Sequence, residues 1–193
     1  AGTQVNTHLT WWPLSDGLHR YLARTSALLM QGDFVADVAF YYGDDVPLFA
    51  KPKHVRPGLG FGYDYDDLNT EVLLQARVNR EGELVLPSGM RYRLLVLPEN
   101  ERRMSLNVLE HVERLLRRGA TVLGHRPERT YGLRGFPEEQ RQLQRLADRL
   151  WGSARPAGAF EKKHGRGRLI AGATAREILL GQGVGPDFAV HPV

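Results

Sequence analysis

RYRLLVLPENERRMSLNVLEHVERLLRRGATVLG, residues 91–124, carries a strand, a loop, a helix and a second strand in one stretch. Leu94, Leu95, Val96 and Leu97 form a short continuous apolar run closed by Pro98, which is how a strand buried on both faces reads. Leu106, Leu109, Val112, Leu115 and Leu116 then recur three or four apart, so one apolar stripe faces inward and charged residues face outward. Ser105 stands where it can cap that helix, and Gly119 suits the position just past its end, where a positive φ is cheap. Residues 120–123 supply a second apolar run. The unit is therefore a right-handed βαβ crossover, which requires a parallel sheet covered by helices.

Upstream of this unit, residues 13–31 place Leu14, Leu18, Tyr21, Leu22, Leu28 and Leu29 at helical spacing before Gly32, an amphipathic helix of about five turns. FVADVAFYY, residues 34–42, is rich in Val, Phe and Tyr and predicts the strand that opens the sheet. Residues 43–62 hold Pro47, Pro52, Pro57 and several glycines, the composition of a long irregular loop. A helix is expected over 66–75, with Leu68, Val72 and Leu73 on one face. A hairpin turning at Glu81 and Gly82 is expected over 76–86, beside the main sheet.

Downstream, residues 137–151 predict a helix with Pro137 in its first turn and Leu143, Leu146, Ala147 and Leu150 facing inward. A strand over 165–171, a short helix over 174–180 capped by Thr174 and a final strand over 187–190 complete the order. That order describes an open three-layer α/β domain with a mainly parallel sheet, of the flavodoxin-like kind.

At 193 residues the chain can hold one large domain, or one domain plus a piece of another. No apolar run approaches the roughly 20 residues of a membrane helix, so no membrane partner is expected. Cysteine is absent, which removes disulfides, thiolate metal sites and cysteine nucleophiles together. The opening AGTQVNTHLTWW has no signal-peptide character and no initiating Met, as in a chain cut from a longer one. The net charge of +4 is not a nucleic-acid signature: only four of 26 basic residues are lysines, and the arginines are spread along the chain among 22 acids.

Few residues suit chemistry. The GLGFG run, residues 58–62, sits inside a proline-rich loop and does not join a strand to a helix, so it fails as a phosphate loop; the GRG of residues 165–167 precedes a strand and fails likewise. Asp44, Asp45, Asp64, Asp66 and Asp67 are dense enough for acid and base pairs or a hard cation. Yet Asp66 and Asp67 fall where a helix amino terminus prefers negative charge, and Asp44 and Asp45 suit a turn after a strand. The seven histidines show no metal spacing. Asn6, His8, Trp11 and Trp12 crowd hydrogen-bonding groups and indole rings into seven residues, a mixture that suits a sugar; the same tryptophans could equally staple the following helix to a core.

The series GTQVNTHLTWW, HRYLARTSALLMQGDFVADVAFYYGDD, GYDYDDLNTEVLL and LVLPSGMRYRLLVLPE resembles, in that order, the later part of the catalytic module of bacterial glycoside hydrolase family 106, the α-L-rhamnosidases. The resemblance covers residues 2–124 and continues weakly over 165–188. It implies a (β/α) barrel followed by a domain like the class I glutamine amidotransferases, with residues 1–33 as the barrel's last loop and helix and 34–193 as the amidotransferase-like domain. It also implies a periplasmic or secreted parent enzyme that uses calcium, with no cofactor in this part.

An amidotransferase would need a cysteine at a strand-to-helix elbow, and Gly124, His125 and Arg126 after the second strand offer no nucleophile. Inverting glycosidases need two carboxyl groups roughly 6.5–9.5 Å apart, held by a barrel of about 250 residues. No catalytic acid, base or calcium ligand can be assigned here. The expectation is a non-catalytic domain of an α-L-rhamnosidase that partners its barrel and carbohydrate. The alternatives are a protein interaction or oligomerisation domain, or a sugar-binding accessory module using Asn6, His8, Trp11 and Trp12.

Overall fold

The structure is a computed structural model that describes residues 6–32, 34–44, 56, 58–99, 101–133, 135–153 and 158–189. The chain divides into two compact units, Ala1–Phe34 and Val35–Val193.

In the first unit a turn of 3-10 helix, Trp12–Leu14, precedes helix α1, Asp16–Leu29. The sequence expectation of one helix from residue 13 is interrupted at Ser15, whose hydroxyl donates to the Trp12 carbonyl at 2.6 Å. Such a local side-chain bond offers the backbone an alternative to helix and so marks a boundary. No residue of α1 is buried, and Leu18, Tyr21, Leu22, Leu28 and Leu29 are all exposed.

The second unit opens with strands β1, Val38–Tyr41, and β2, Tyr65–Leu68, then a one-turn helix α2, Thr70–Leu73. Three short strands follow, β3 (Arg77–Val78), β4 (Leu84–Val85) and β5 (Arg91–Tyr92), which form a separate antiparallel sheet. Next come β6 (Leu94–Val96), α3 (Leu106–Arg118), β7 (Thr121–Leu123), α4 (Glu138–Trp151), β8 (Phe160–His164), β9 (Gly167–Ala171) and α5 (Ala175–Gly181).

The main sheet has the order β2-β1-β6-β7-β9-β8, with every neighbouring pair parallel except β8 and β9. Numbered by sequence, its five parallel strands run 2-1-3-4-5, the flavodoxin-like order. Alternation along β6 shows why three layers form. Leu95 joins the core packed with Val108, Leu109, Val112 and Leu115 of α3 and Leu143 of α4. Leu94 and Val96 join the opposite core with Ile178 and Leu179 of α5. Each such buried leucine contributes about 1.5–3 kcal/mol through removal from water.

Four sequence expectations are corrected here. The helix expected over 66–75 is strand β2 followed by a single turn, because the Asn69 side chain accepts the Val72 amide hydrogen and starts the helix only there. Asp66 and Asp67 are thus edge-strand residues, held by Tyr92 and Arg56 respectively. Charged residues on an edge strand discourage further pairing.

The 165–171 strand begins at Gly167 and is the second arm of a hairpin whose first arm, β8, was not foreseen. Its sequence FEKKH has no buried residue and so carries no apolar signal. The GRG is that hairpin's turn: a Cβ on Gly165 would meet the Arg117 backbone at 2.6 Å.

Residues 187–189 form no strand; Asp187 donates a single backbone hydrogen bond to Gly62 at 2.7 Å, and Val190 lies outside the described residues. Finally, Ser105 occupies the cap position of α3 without capping it by its side chain. Among the described residues no helix is long and apolar enough to cross a membrane.

Candidate functional site

Open parallel sheets place their ligands outside the carboxyl ends of the strands. At that edge lies a cleft of about 320 Å³, formed where β6, β7 and β9 end. Val96, Leu97, Leu123 and Ala171 give it an apolar floor, while Glu99, Arg102 and His125 bring the polar groups. Sequence reasoning nominated none of these three for a site. The signal that could have found Glu99 and Arg102 is their position immediately after a buried parallel strand.

Backbone groups of Leu97 and Gly124 at the cleft are already satisfied. Leu97 donates to the Leu123 carbonyl at 2.8 Å and Gly124 to Ile170 at 2.9 Å, extending the parallel ladder beyond the named strands. The Gly124 carbonyl accepts the buried Trp151 indole at 3.0 Å. A Cβ on Gly124 would meet the Leu97 side chain at 2.6 Å, so glycine permits the close approach of β6 and β7. None of the described lining residues bears a hydroxyl or thiol, and Glu99 is the single carboxylate among them. Such a set supplies neither a hydroxyl or thiol nucleophile nor the carboxylate pair of inverting hydrolysis.

The topological switch point lies beside it, between β1 and β6, and is occupied by Asp44. One carboxylate oxygen accepts the Thr70 hydroxyl, the other accepts Ser105 at 3.0 Å, and the Asp44 amide donates to the Tyr131 phenol oxygen at 3.3 Å. The Tyr41 hydroxyl lies 3.0 Å from that of Thr70. Burial pushes the Tyr131 phenol up to about 12 and raises that of Tyr41, so both remain neutral hydrogen-bonding groups. Asp44 is therefore a structural hub as well as a turn residue. Asp64 accepts the amide hydrogen of Tyr65 at 2.8 Å, and Asp45 lies outside the described residues.

The GLGFG segment is held by Arg176, which donates to the carbonyls of Leu59 at 3.1 Å and Phe61 at 2.9 Å and lies over the Tyr63 ring. A Cβ on Gly62 would overlap the Phe188 carbonyl oxygen, so this glycine serves chain-to-chain packing.

In the first unit, Asn6 accepts the His8 amide hydrogen at 2.8 Å. The Trp11 and Trp12 rings lie 6.1 Å apart, and the His19 ring lies tilted by 57° at 5.0 Å from that of Trp12. Trp11 is 38% exposed and His8 is exposed. Asn6 thus meets His8, and Trp11 and Trp12 meet each other with His19 added, seven residues after Trp12.

The sequence profile of the α-L-rhamnosidases, glycoside hydrolase family 106, matches residues 1–193, the whole chain. The chain belongs to glycoside hydrolase family 106. A solved rhamnosidase from Novosphingobium sp. PP1Y is similar at 32% identity with a TM-score of 0.73, over 93% of this chain and 17% of that one. A candidate β-glucuronidase of Formosa agariphila is 33% identical over 153 residues, 78% of this chain and 13% of that protein. The family 106 chain thus spans less than a fifth of the length of these relatives, both of them named as glycoside hydrolases.

Proposed function

We propose that this family 106 chain is a non-catalytic α/β domain of a larger enzyme that hydrolyses terminal α-L-rhamnosides. Its first 33 residues would be the last loop and helix of the catalytic barrel, and residues 34–193 the amidotransferase-like domain. The observation that carries the reading is the chemistry of the sheet's carboxyl edge, where a single carboxylate and no hydroxyl or thiol line the cleft in a chain of rhamnosidase family. Inversion at a sugar carbon needs a general acid and a general base on opposite sides of the ring.

Asn6, His8, Trp11 and Trp12 are the residues of this chain proposed to touch the sugar, by stacking on its apolar face and bonding its hydroxyls. Among the described residues no group of three or more acidic or histidine side chains could hold a metal, and the calcium implied by the family is proposed for the parent enzyme. The family resemblance favours a periplasmic or secreted parent.

A second reading, an interaction domain, is favoured by one observation, the uncovered leucines of α1. The first reading is tested by assaying the 193-residue chain and the full-length parent on an aryl α-L-rhamnoside, the second by sedimentation of the isolated chain, where a monomer with no tendency to associate would count against it. Release of rhamnose by the parent alone is expected. Turnover by the isolated chain would overturn the non-catalytic assignment.

A further inference from the structure

We propose that the cleft at the ends of β6, β7 and β9 is a second carbohydrate site, remote in sequence from Asn6 to Trp12 and taking a single neutral sugar ring. The proposal rests on the reading that the parent enzyme handles carbohydrate. Size is the first constraint: at about 320 Å³ the cleft lies at the lower end of ligand pockets, enough for one ring but not for a chain of them.

Chemistry is the second constraint. Glu99 and Arg102 face the same cleft with opposite charge, and no hydrogen bond or ion pair among the described residues engages either side chain. A carboxylate accepts two hydroxyl hydrogens and a guanidinium donates to hydroxyl oxygens from a planar fork, so together they suit neighbouring hydroxyls on one ring. Leu97, Leu123 and Ala171 beneath them match the C–H face that a sugar presents opposite its hydroxyls.

Other ligand classes fit less well. A phosphate or carboxylate would face Glu99, and the Gly124 amide that could have bound it is spent on Ile170. A divalent cation would find one carboxylate beside a guanidinium. A nucleobase or other large planar ligand would find no Phe, Tyr or Trp ring among the lining residues, only the smaller His125 imidazole.

The experiment is a titration of the 15N-labelled 193-residue chain with L-rhamnose, followed by amide chemical shifts. Saturable shifts are expected at Gly124, His125, Gly172 and Ala173, with a Kd on the order of 1 mM. Glu99→Gln and Arg102→Met should each weaken binding about tenfold, the loss of one charge-assisted hydrogen bond. Should either variant lose its dispersed spectrum, Ala173→Phe fills the cleft from its rim and must abolish the same shifts.

Absence of saturable shifts at these amides with L-rhamnose or D-galactose would overturn the proposal. Shifts confined to residues 6–12 would overturn it too, while leaving the proposed sugar contacts of the first unit standing. A parent that fails to cleave rhamnosides while the cleft still binds D-galactose would reject the functional reading and keep the site.

Discussion

The Ser105 hydroxyl donates to the Asp44 carboxylate at 3.0 Å across 61 residues of chain, although its backbone stands at the amino-terminal cap of α3. The side chain that would ordinarily satisfy a helix N–H is thus used to tie α3 to the end of β1. Thr70, the first residue of α2, uses the other oxygen of the same carboxylate. Three separate parts of the fold thus meet at one acid, at the crevice where doubly wound sheets most often bind ligands.

Asp44→Ala should therefore destabilise the chain by about 1–3 kcal/mol, since it strands two partly buried hydroxyls together. Ser105→Ala should cost about 1 kcal/mol or less, because the remaining bond to Thr70 survives. Urea midpoints of the two variants measure the difference. Equal midpoints for Asp44→Ala and the parent sequence would mean that water replaces the carboxylate without loss.

Gly62 and Gly60 both have positive φ, +92° and +74°, so alanine at either carries a similar backbone strain of about 1 kcal/mol. They differ in what a Cβ meets. At Gly60 it meets the end of the Arg176 side chain at 3.0 Å, which can move; at Gly62 it meets Pro186 at 2.6 Å and the Phe188 backbone. Gly62→Ala should thus lower the melting temperature more than Gly60→Ala and expose residues 184–189 to protease. Equal sensitivity of the two variants would show that the 184–189 segment yields without cost.

His111 and His164 should make the chain less stable in mild acid. Burial lowers both below their ordinary value of 6.5, with Arg114 adding to the effect at His111 and Glu113 opposing it at His164. The folded state then binds fewer protons than the unfolded one, so stability is full above pH 6.5 and falls as pH drops toward the folded values. Asp37, whose carboxyl is raised from 3.8 chiefly by burial, acts in the opposite sense and at lower pH. Urea midpoints at about pH 7.5 and 5.5 test the sign. His111→Gln should flatten the dependence, and an unchanged slope would remove His111 from the account.

The legible parts of the fold were those where an apolar pattern has a single physical solution. Leu94 to Leu97 could only be a strand buried on both faces, and the α3 stripe could only cover it. The Thr174 cap was equally direct, since its hydroxyl accepts the Glu177 amide at 3.2 Å and completes a capping box.

Edges were illegible for the opposite reason. Tyr65 to Leu68 and Phe160 to His164 pair on one side only, so acids and lysines are tolerated and period-2 alternation of apolar residues is lost. The cleft was hidden as well, because Glu99, Arg102 and His125 come from two different loops that only the parallel order of β6 and β7 brings together. Asn6, His8, Trp11 and Trp12, proposed to touch the sugar, could be singled out as a group because they are local in sequence.

Helix α1 gives the clearest test of how this chain relates to the rest of its parent. Leu18 and Leu22 are 52% and 48% exposed, one turn apart, and Tyr21 and Leu28 are exposed as well. Single leucines at a surface are ordinary, whereas a contiguous apolar stripe calls for a covering surface. If the first 33 residues complete a barrel, that surface belongs to the parent, and a charge placed there must be felt only by the larger protein. Leu18→Asp and Leu22→Asp should leave the isolated chain's midpoint within about 0.5 kcal/mol, as for most exposed substitutions. In the full-length parent the same changes should cost about 2–5 kcal/mol each, the penalty of burying an unpaired carboxylate where a leucine was packed. Thermal melts of both proteins decide the matter, and a parent unmoved by either substitution would leave α1 outside the barrel.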